Sequence, residues 1–348
     1  MTHPDEDLKL EAYDYELPEE LIASRPASER QNSKLLFFDE ELSEVQHKNF
    51  YEIEDLLPAG TTLVLNQSKV FPCRIFGKKS TGAKAEFFVL SLLKEEQGYP
   101  VLIKTGGKKR IGDKFIFNEE FVARINAIGE GTFYIEFDNK TTAEDVLKKI
   151  GSVPLPPYIR NGVSDESDLE DYQTVFAKEL GSVAAPTAGL HFTAELLEKL
   201  KNKGVDIAFV TLHVGLGTFL PVKSELITEH SMHSEKYHVD EQDLQKIKNA
   251  KKLVAVGTTS LRVLESMGED IIAGKEYSTD IFLYPGKEVK SIDGLITNFH
   301  LPKSSLIMLV SSLIGRKKTI ELYKKAVEKK YRFFSYGDSM FIKRKGRS

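Results

Sequence analysis

Apolar and polar positions divide the chain into three textures. Residues 1–12, MTHPDEDLKLEA, are polar and acidic and predict a disordered tail. From Arg74 to Asp138, short β-rich runs (RIFG, AEFFVLSLL, PVLIKT, DKFIF, FVARINAI, GTFYIEF) are broken by TGA, EEQG, TGGKK and GEG. Breaks at roughly 8–12-residue spacing predict an all-β barrel or sandwich. From Val183 onward the text alternates between helical and β-branched runs. TAELLEKLKNKG predicts a helix with Thr193 as N-cap, Glu195 in its first turn and Gly204 as its stop. VDIAFVTLHV predicts a buried strand. DEQDLQKIKNAKK predicts a second helix, capped by Asp240 and carrying Leu244 and Ile247 on one face. KKLVAVGTTSLRVLESMG compresses strand, turn and helix into one unit. Such alternation is the signature of an α/β class. The expectation is a layered core with a mostly parallel or mixed sheet, built from residues 13–72 and 151–348, with residues 73–150 inserted as a β-barrel.

Composition narrows the setting without changing this architecture. The 348 residues are 41% hydrophobic and 29% charged, enough for two domains. A formal charge of −4 announces no nucleic-acid partner by itself, although local basic patches remain available to one. Cys73 is the one cysteine, which excludes an internal disulfide and a Cys-rich metal site. The acidic N-terminus lacks a signal-peptide pattern, and no run approaches the ~20 apolar residues of a membrane span. A cytoplasmic monomer is expected.

Candidate chemistry lies where predicted strands end, the usual position of sites in α/β sheets. PTAGLHF, residues 186–192, sets His191 just ahead of a helix, where free N–H groups suit an anion or serve only a cap. GTTSLR, residues 257–262, places Thr258, Ser260 and Arg262 at a strand-to-helix turn. It reads either as a capped helix with a surface arginine or as a carboxylate or phosphate site. HVGLGTFLPV offers Gly215 and Gly217 in a tight turn beside His213, but Leu220 and Pro221 stand where a dinucleotide loop needs its third glycine and helix. ITNFHLPKSSL repeats the pattern with Asn298 and His300, and Phe299 between them is either a base-stacking platform or core. Five of the eight histidines, His191, His213, His230, His233 and His300, fall in or beside these loops. Imidazole is the side chain best suited to proton transfer near neutrality. EHSMHSEKYH lacks H-E-x-x-H spacing, so no metal is expected.

Several long motifs together resemble one family. GSVAAPTAGLHFT, TLHVGLGTF, MHSE, AVGTTSLR, TDIFLYPG, GLITNFHLPKSSLIMLVS and YRFFSYGDSMFI, with YELPEELIASRPASERQNSKLL and LVLNQSKVFPCRIFGKKSTGAKAE nearer the start, look like the S-adenosylmethionine:tRNA ribosyltransferase-isomerase family of queuosine biosynthesis. The resemblance runs in order from about Tyr15 to the end. It implies an α/β core with an inserted β-barrel. It also implies that S-adenosylmethionine donates its ribosyl part to 7-aminomethyl-7-deazaguanine at the tRNA wobble position, giving epoxyqueuosine with release of adenine and methionine. No cofactor beyond that substrate and no metal is implied.

That chemistry asks for a base at the ribose C5′ proton, an acid for departing adenine and a neutral amine nucleophile. On the resemblance, His191 and His300 are the acid–base candidates near pH 7, with Glu235 of MHSE a further base if desolvation raises its pKa. Arg262, Thr258 and Ser260 are candidates for the methionine carboxylate, with Gly215 and Gly217 beside the same substrate. Asn298 is a candidate to read a base edge, and Phe192, Phe219 or Phe299 to stack on a base. Asp338 of SYGDSM either orients a donor or belongs to a turn. For the tRNA, KTGGKKRIGDK supplies Lys104, Lys108, Lys109, Arg110 and Lys114 against one Asp113, near Lys78 and Lys79; the other reading is a solvated hairpin. Departures from the family pattern fall at Cys73, Leu180 and Leu220. A methyltransferase using the same donor, or a non-catalytic RNA-binding module, are the alternatives. Methyl transfer releases S-adenosylhomocysteine where ribosyl transfer releases adenine.

Overall fold

Nine strands build the large sheet among the residues that the structure, a computed structural model, describes: 4–215 and 222–346. The chain divides into two compact units. One holds Met1–Lys69, Gln173–Glu179 and Ala185–Ser348, and the other holds Val70–Tyr172 and Leu180–Ala184.

In chain order the strands are β1 (Lys34–Asp39), β2 (Glu44–Asn49), β3 (Thr61–Asn66), β4 (Ser68–Val70), β5 (Arg74–Lys79), β6 (Lys84–Val89), β7 (Tyr99–Thr105), β8 (Lys114–Phe117), β9 (Phe121–Ile128), β10 (Phe133–Phe137), β11 (Glu179–Ser182), β12 (Asp206–Leu212), β13 (Glu235–His238), β14 (Lys252–Val256), β15 (Tyr277–Thr279), β16 (Gly294–Asn298) and β17 (Ser339–Lys343). The large sheet has the order β15-β13-β12-β3-β14-β16-β17-β1-β2. Its centre, β12-β3-β14-β16, is parallel, and β16 and β17 run antiparallel. The sheet is therefore mixed, as the alternating text predicts.

Every residue of β3, TTLVLN, is buried, as a central parallel strand covered on both faces requires. One face packs Leu63, Leu65 and Val256 against Leu196, Leu197 and Leu200 of the helix Ala194–Asn202. That helix forms where the periodicity places it: Thr193 Oγ1 accepts the Leu196 N–H at 3.1 Å, an N-cap typically worth about 1 kcal/mol. Asp240 sits at the N-cap position of Glu241–Asn249, yet its side chain makes no capping hydrogen bond. Gly257, at φ +88°, turns β14 into the helix Thr258–Ser266; a β-carbon would strain that left-handed conformation.

The acidic segment expected to be a disordered tail is folded where it is described. Pro4–Asp7 is a helical turn, Leu10 N–H donates to Glu225 O at 2.9 Å, and Asp7 pairs with Arg316 at 2.6 Å. The anchor is Tyr13, which is fully buried. Local polarity misses this, because the partners lie far along the chain.

The second unit is a closed antiparallel barrel, ordered β10-β7-β6-β5-β8-β9. Its strands alternate in burial, with Phe87, Phe115 and Phe117 meeting edge-to-face inside at centroid distances of 4.9 and 5.0 Å. Gly77 is required by proximity, since a β-carbon there would lie 2.6 Å from the Ile116 carbonyl oxygen. The unit extends past the expected boundary at residue 150. Ser152 pairs with Arg74 across an isolated bridge, and the Gly162 carbonyl accepts from the Arg74 guanidinium. Residues 151–172 thus belong with the barrel, because Arg74 ties them to its first strand. Among the described residues, no helix is long and apolar enough to cross a membrane.

Candidate active site

The carboxyl ends of four adjacent strands converge on the predicted loops. Val210 pairs with Asn66, Leu65 with Val256, and Val256 with Ile296. This register aligns the exits of β12, β3, β14 and β16 along one edge. His213 follows β12, Gln67 follows β3, Gly257 follows β14, and Asn298 closes β16.

His191 ends the 3-10 turn Thr187–His191. Its Nδ1 lies 2.8 Å from Ser33 Oγ, and its Nε2 lies 3.2 Å from Asn298 Nδ2. Thr187 Oγ1 donates to Asn298 Oδ1 at 3.1 Å, which turns the amide N–H₂ toward the imidazole. The network therefore selects one tautomer: Nε2 accepts, and Nδ1–H donates to Ser33. The ring packs beside Phe50 at a centroid distance of 4.9 Å. Burial, assisted by the Arg332 and Arg30 charges, lowers its pKa from 6.5 to about 3.

His300 is held from both its side chain and its backbone. Nε2 lies 2.9 Å from Thr297 Oγ1, its N–H donates to Tyr323 OH at 3.3 Å, and its carbonyl accepts from Tyr15 OH. Burial lowers its pKa to about 3 as well. The expectation that these histidines titrate near pH 7 is thus corrected: desolvation keeps both neutral.

A second cluster surrounds Arg262. Its guanidinium Nη1 pairs with Glu235 Oε2, and each side chain is only 4% exposed. Glu235 Oε1 accepts the Gly215 N–H at 2.8 Å, while Arg262 Nη2 reaches Thr279 O at 3.5 Å. Two residues expected to serve separate tasks, a base and a carboxylate clamp, are partners. Glu235 is a buried carboxylate engaged on both oxygens, one by Arg262 and one by the Gly215 N–H. Thr258 and Ser260 are buried in the first turn behind Gly257. Thr259 Oγ1, Ser260 Oγ, Arg262 Nε and His213 Nδ1 are buried without a hydrogen-bond partner among the described residues. Gly217, Phe219 and Leu220 lie outside the described residues.

The two clusters abut: a β-carbon on Gly257 would stand 3.6 Å from Ala188 Cβ in the His191 turn. Phe192 and Phe299 are fully buried, Phe192 against Phe50 and Phe299 among Tyr323, Tyr331 and Phe333. Both are core, which corrects their expected stacking role. Asp338 accepts from the N–H groups of Lys34 (3.0 Å) and Arg332 (2.7 Å), so it clamps backbone. In the barrel, Lys104, Lys108, Arg110 and Lys114 are exposed or half-buried, and Lys109 lies 5.5 Å from the Phe133 ring centroid.

Residues 10–342 match the family described as Queuosine biosynthesis protein. The chain belongs to this family. It is 49% identical over 345 residues to the S-adenosylmethionine:tRNA ribosyltransferase-isomerase of Acetivibrio thermocellus, covering 97% of this chain and 100% of that one. The crystal structure of S-adenosylmethionine tRNA ribosyltransferase from Thermotoga maritima is 35% identical, covers 95% of this chain and 99% of that chain, and superposes with a TM-score of 0.54.

Within this queuosine family chain, residues that no single motif singles out complete the site. Asn66 closes the β3 exit, donating to Leu212 O at 3.0 Å and accepting the Leu212 N–H at 3.0 Å. Gln67 Nε2 donates to Thr211 Oγ1 at 3.2 Å. The available signal is the polar triplet Asn66-Gln67-Ser68 ending an otherwise apolar strand. Ser33 and Thr187 carry no comparable signal, since their roles depend on neighbours brought close by the fold.

Proposed function

We infer that this chain transfers and isomerises the ribosyl part of S-adenosylmethionine onto the 7-aminomethyl-7-deazaguanine wobble base of tRNA, forming epoxyqueuosine and releasing adenine and methionine. The observation that carries this reading is end-to-end identity of 49% to a relative named for that reaction. It works as a cytoplasmic monomer without a metal or a further cofactor.

The site chemistry fits a single proton shuttle. Burial holds His191 and His300 unprotonated, ready to accept a proton, and at the same time lowers the basicity of each. His191 takes, at Nε2, the C5′ proton made acidic by the sulfonium, which requires the Asn298 amide N–H to release that nitrogen. The imidazolium so formed stands in the field of Arg332 and Arg30 and in a desolvated pocket, so it returns its proton readily, to adenine as that base departs. His300, held rigid by Thr297, Tyr15 and Tyr323, is the second acid–base group.

Methionine's carboxylate belongs at the N-terminal end of Thr258–Ser266, where three buried polar groups lack a partner among the described residues: Thr259 Oγ1, Ser260 Oγ and Arg262 Nε. Asn298 and Gly215 border the same substrate. Lys104, Lys108, Lys109, Arg110 and Lys114 meet tRNA phosphates. The test is a mass-spectrometric assay with purified protein, S-adenosylmethionine, no added metal, and tRNA carrying the aminomethyl-deazaguanine. Adenine, methionine and epoxyqueuosine are expected together. S-adenosylhomocysteine in their place refutes the reaction assigned.

A further inference from the structure

We propose that the outward face of β8, β5, β6 and β7 is a docking surface for the tRNA phosphodiester backbone, with Phe76 as a stacking platform for an unpaired base. This rests on the function proposed above and goes beyond the loop lysines, because the face is built by strand register.

Along β5, Phe76 and Lys78 point outward; along β6, Lys84; along β7, Lys104; along β8, Lys114 and Ile116. Lys78 stands directly opposite Lys84, and Lys114 opposite Arg124. Directly opposed side chains of an antiparallel pair have β-carbons about 5 Å apart, and like charges so placed repel. Lys104 stands opposite Glu86, but that carboxylate accepts from Arg74 Nε at 2.6 Å. Among the described residues, Lys78, Lys84, Lys104 and Lys114 form no ion pair. Cations nearer β9 and β10 do: Arg124 pairs with Asp138, Lys94 with Glu136, and Lys149 with Glu120.

On this side of the barrel Lys79 pairs with Asp113 and Arg74 with Glu86, while Lys78, Lys84, Lys104 and Lys114 remain without an ion pair among the described residues. Lys78 and Lys84 face each other across the β5–β6 pair with no carboxylate bonded to either. A polyanion resolves the repulsion. Phe76 is 54% exposed, with the Arg74 guanidinium 4.7 Å from its ring centroid. A large exposed ring flanked by cations is how sequence-tolerant binders hold unstacked bases.

The experiment uses full-length enzyme and the substrate tRNA, titrated at several salt concentrations. The variant Lys78→Glu/Lys114→Glu turns the Lys78–Lys84 repulsion into an attraction and sets a carboxylate opposite Arg124, which already pairs with Asp138. A merely structural face gains thermal stability and keeps its tRNA affinity. The proposal expects unchanged or raised thermal stability together with tRNA affinity weakened about tenfold or more, and a log–log salt dependence shallower by about 0.7–0.9 for each phosphate no longer neutralised. KM for S-adenosylmethionine stays unchanged. Phe76→Ala is expected to weaken binding with the salt slope intact. A double variant that binds tRNA with wild-type affinity and slope overturns the proposal. Adenine release by the wild-type enzyme, measured in parallel, separates this outcome from failure of the assigned reaction.

Discussion

Removing Glu235 offers a quantitative probe of the site. Its carboxylate and the Arg262 guanidinium are each 4% exposed and paired, and Gly215 N–H also donates to the carboxylate. Glu235→Ala leaves a desolvated guanidinium and an orphaned N–H, which costs about 3–5 kcal/mol when a buried pair is broken from one side. This is a large share of a typical domain stability of about 5–15 kcal/mol. Arg262→Met is expected to cost a similar amount by stranding the carboxylate. The double variant is expected to cost far less than the sum, since no charge then remains buried alone; a coupling energy of about 2 kcal/mol or more follows. Urea denaturation gives the four stabilities, and hydrogen exchange in the segments 206–212 and 252–256 assigns the transition to the unit holding the pair. Single losses below about 1 kcal/mol, or additive effects within about 0.5 kcal/mol, refute the claim that the charges depend on each other.

Acidification tests the buried imidazoles. Their folded pKa values near 3 lie below the unfolded 6.5, so the unfolded chain takes up protons first; stability is full above about pH 6.5 and falls as pH drops. Between pH 7.5 and 5 each histidine removes about 2 kcal/mol, and a His191→Asn/His300→Asn variant measured by urea denaturation is expected to lose most of that slope. His191→Ala is expected to lower adenine release by roughly 10²-fold or more in a single-turnover assay, and unaltered turnover refutes its role as proton carrier. Gly257→Ala is expected to destabilise by about 1 kcal/mol or more, read from its denaturation midpoint, because φ +88° strains any β-carbon. Charge reversal at Lys108, Lys109 and Arg110 is expected to raise KM for tRNA and flatten its salt dependence; an unchanged KM removes these residues from the interface.

Local pattern determines what is legible in the sequence. VDIAFVTLHV reads as a buried strand from its β-branched apolar run, and TAELLEKLKNKG carries cap, stripe and stop within one short segment. GTTSLR is legible as a strand-to-helix turn for the same reason. The partners of those residues are hidden by sequence distance. Glu235 lies 27 positions from Arg262, Asn298 lies 107 from His191, and Ser33 lies 158 from it. No local window contains such a pair, so Glu235 and Arg262 suggest separate roles although each satisfies the other. Burial is hidden as well. Phe299 between two polar residues at a strand end reads as either a stacking platform or core, and Tyr323, Tyr331 and Phe333 around it decide for core. The N-terminal segment reads as a tail because Asp7 and Ala12 both meet Arg316, 309 and 304 positions away, beyond the reach of composition.

What the site lacks defines its ligand more sharply than what it contains. The Arg262–Glu235 pair carries no net charge, whereas the Arg332 and Arg30 charges act on the His191 ring. Among the described residues, the buried groups without a partner at the helix end are two hydroxyls and one guanidinium N–H. Of these, Arg262 Nε donates only, while Thr259 Oγ1 and Ser260 Oγ rotate to donate or accept. The acceptor they lack is not Glu235, whose oxygens are already engaged by Arg262 Nη1 and Gly215 N–H. If methionine's carboxylate binds at Arg262 as proposed, Glu235 holds the guanidinium at Nη1 while Nε stays open to it. Substrate binding and the Glu235 ion pair are therefore complementary: Glu235→Gln, which keeps the shape but removes the charge, should raise KM for S-adenosylmethionine more than it lowers kcat. An unchanged KM with a collapsed kcat would instead make Glu235 a proton-transfer group and return it to the base role that its pairing argues against.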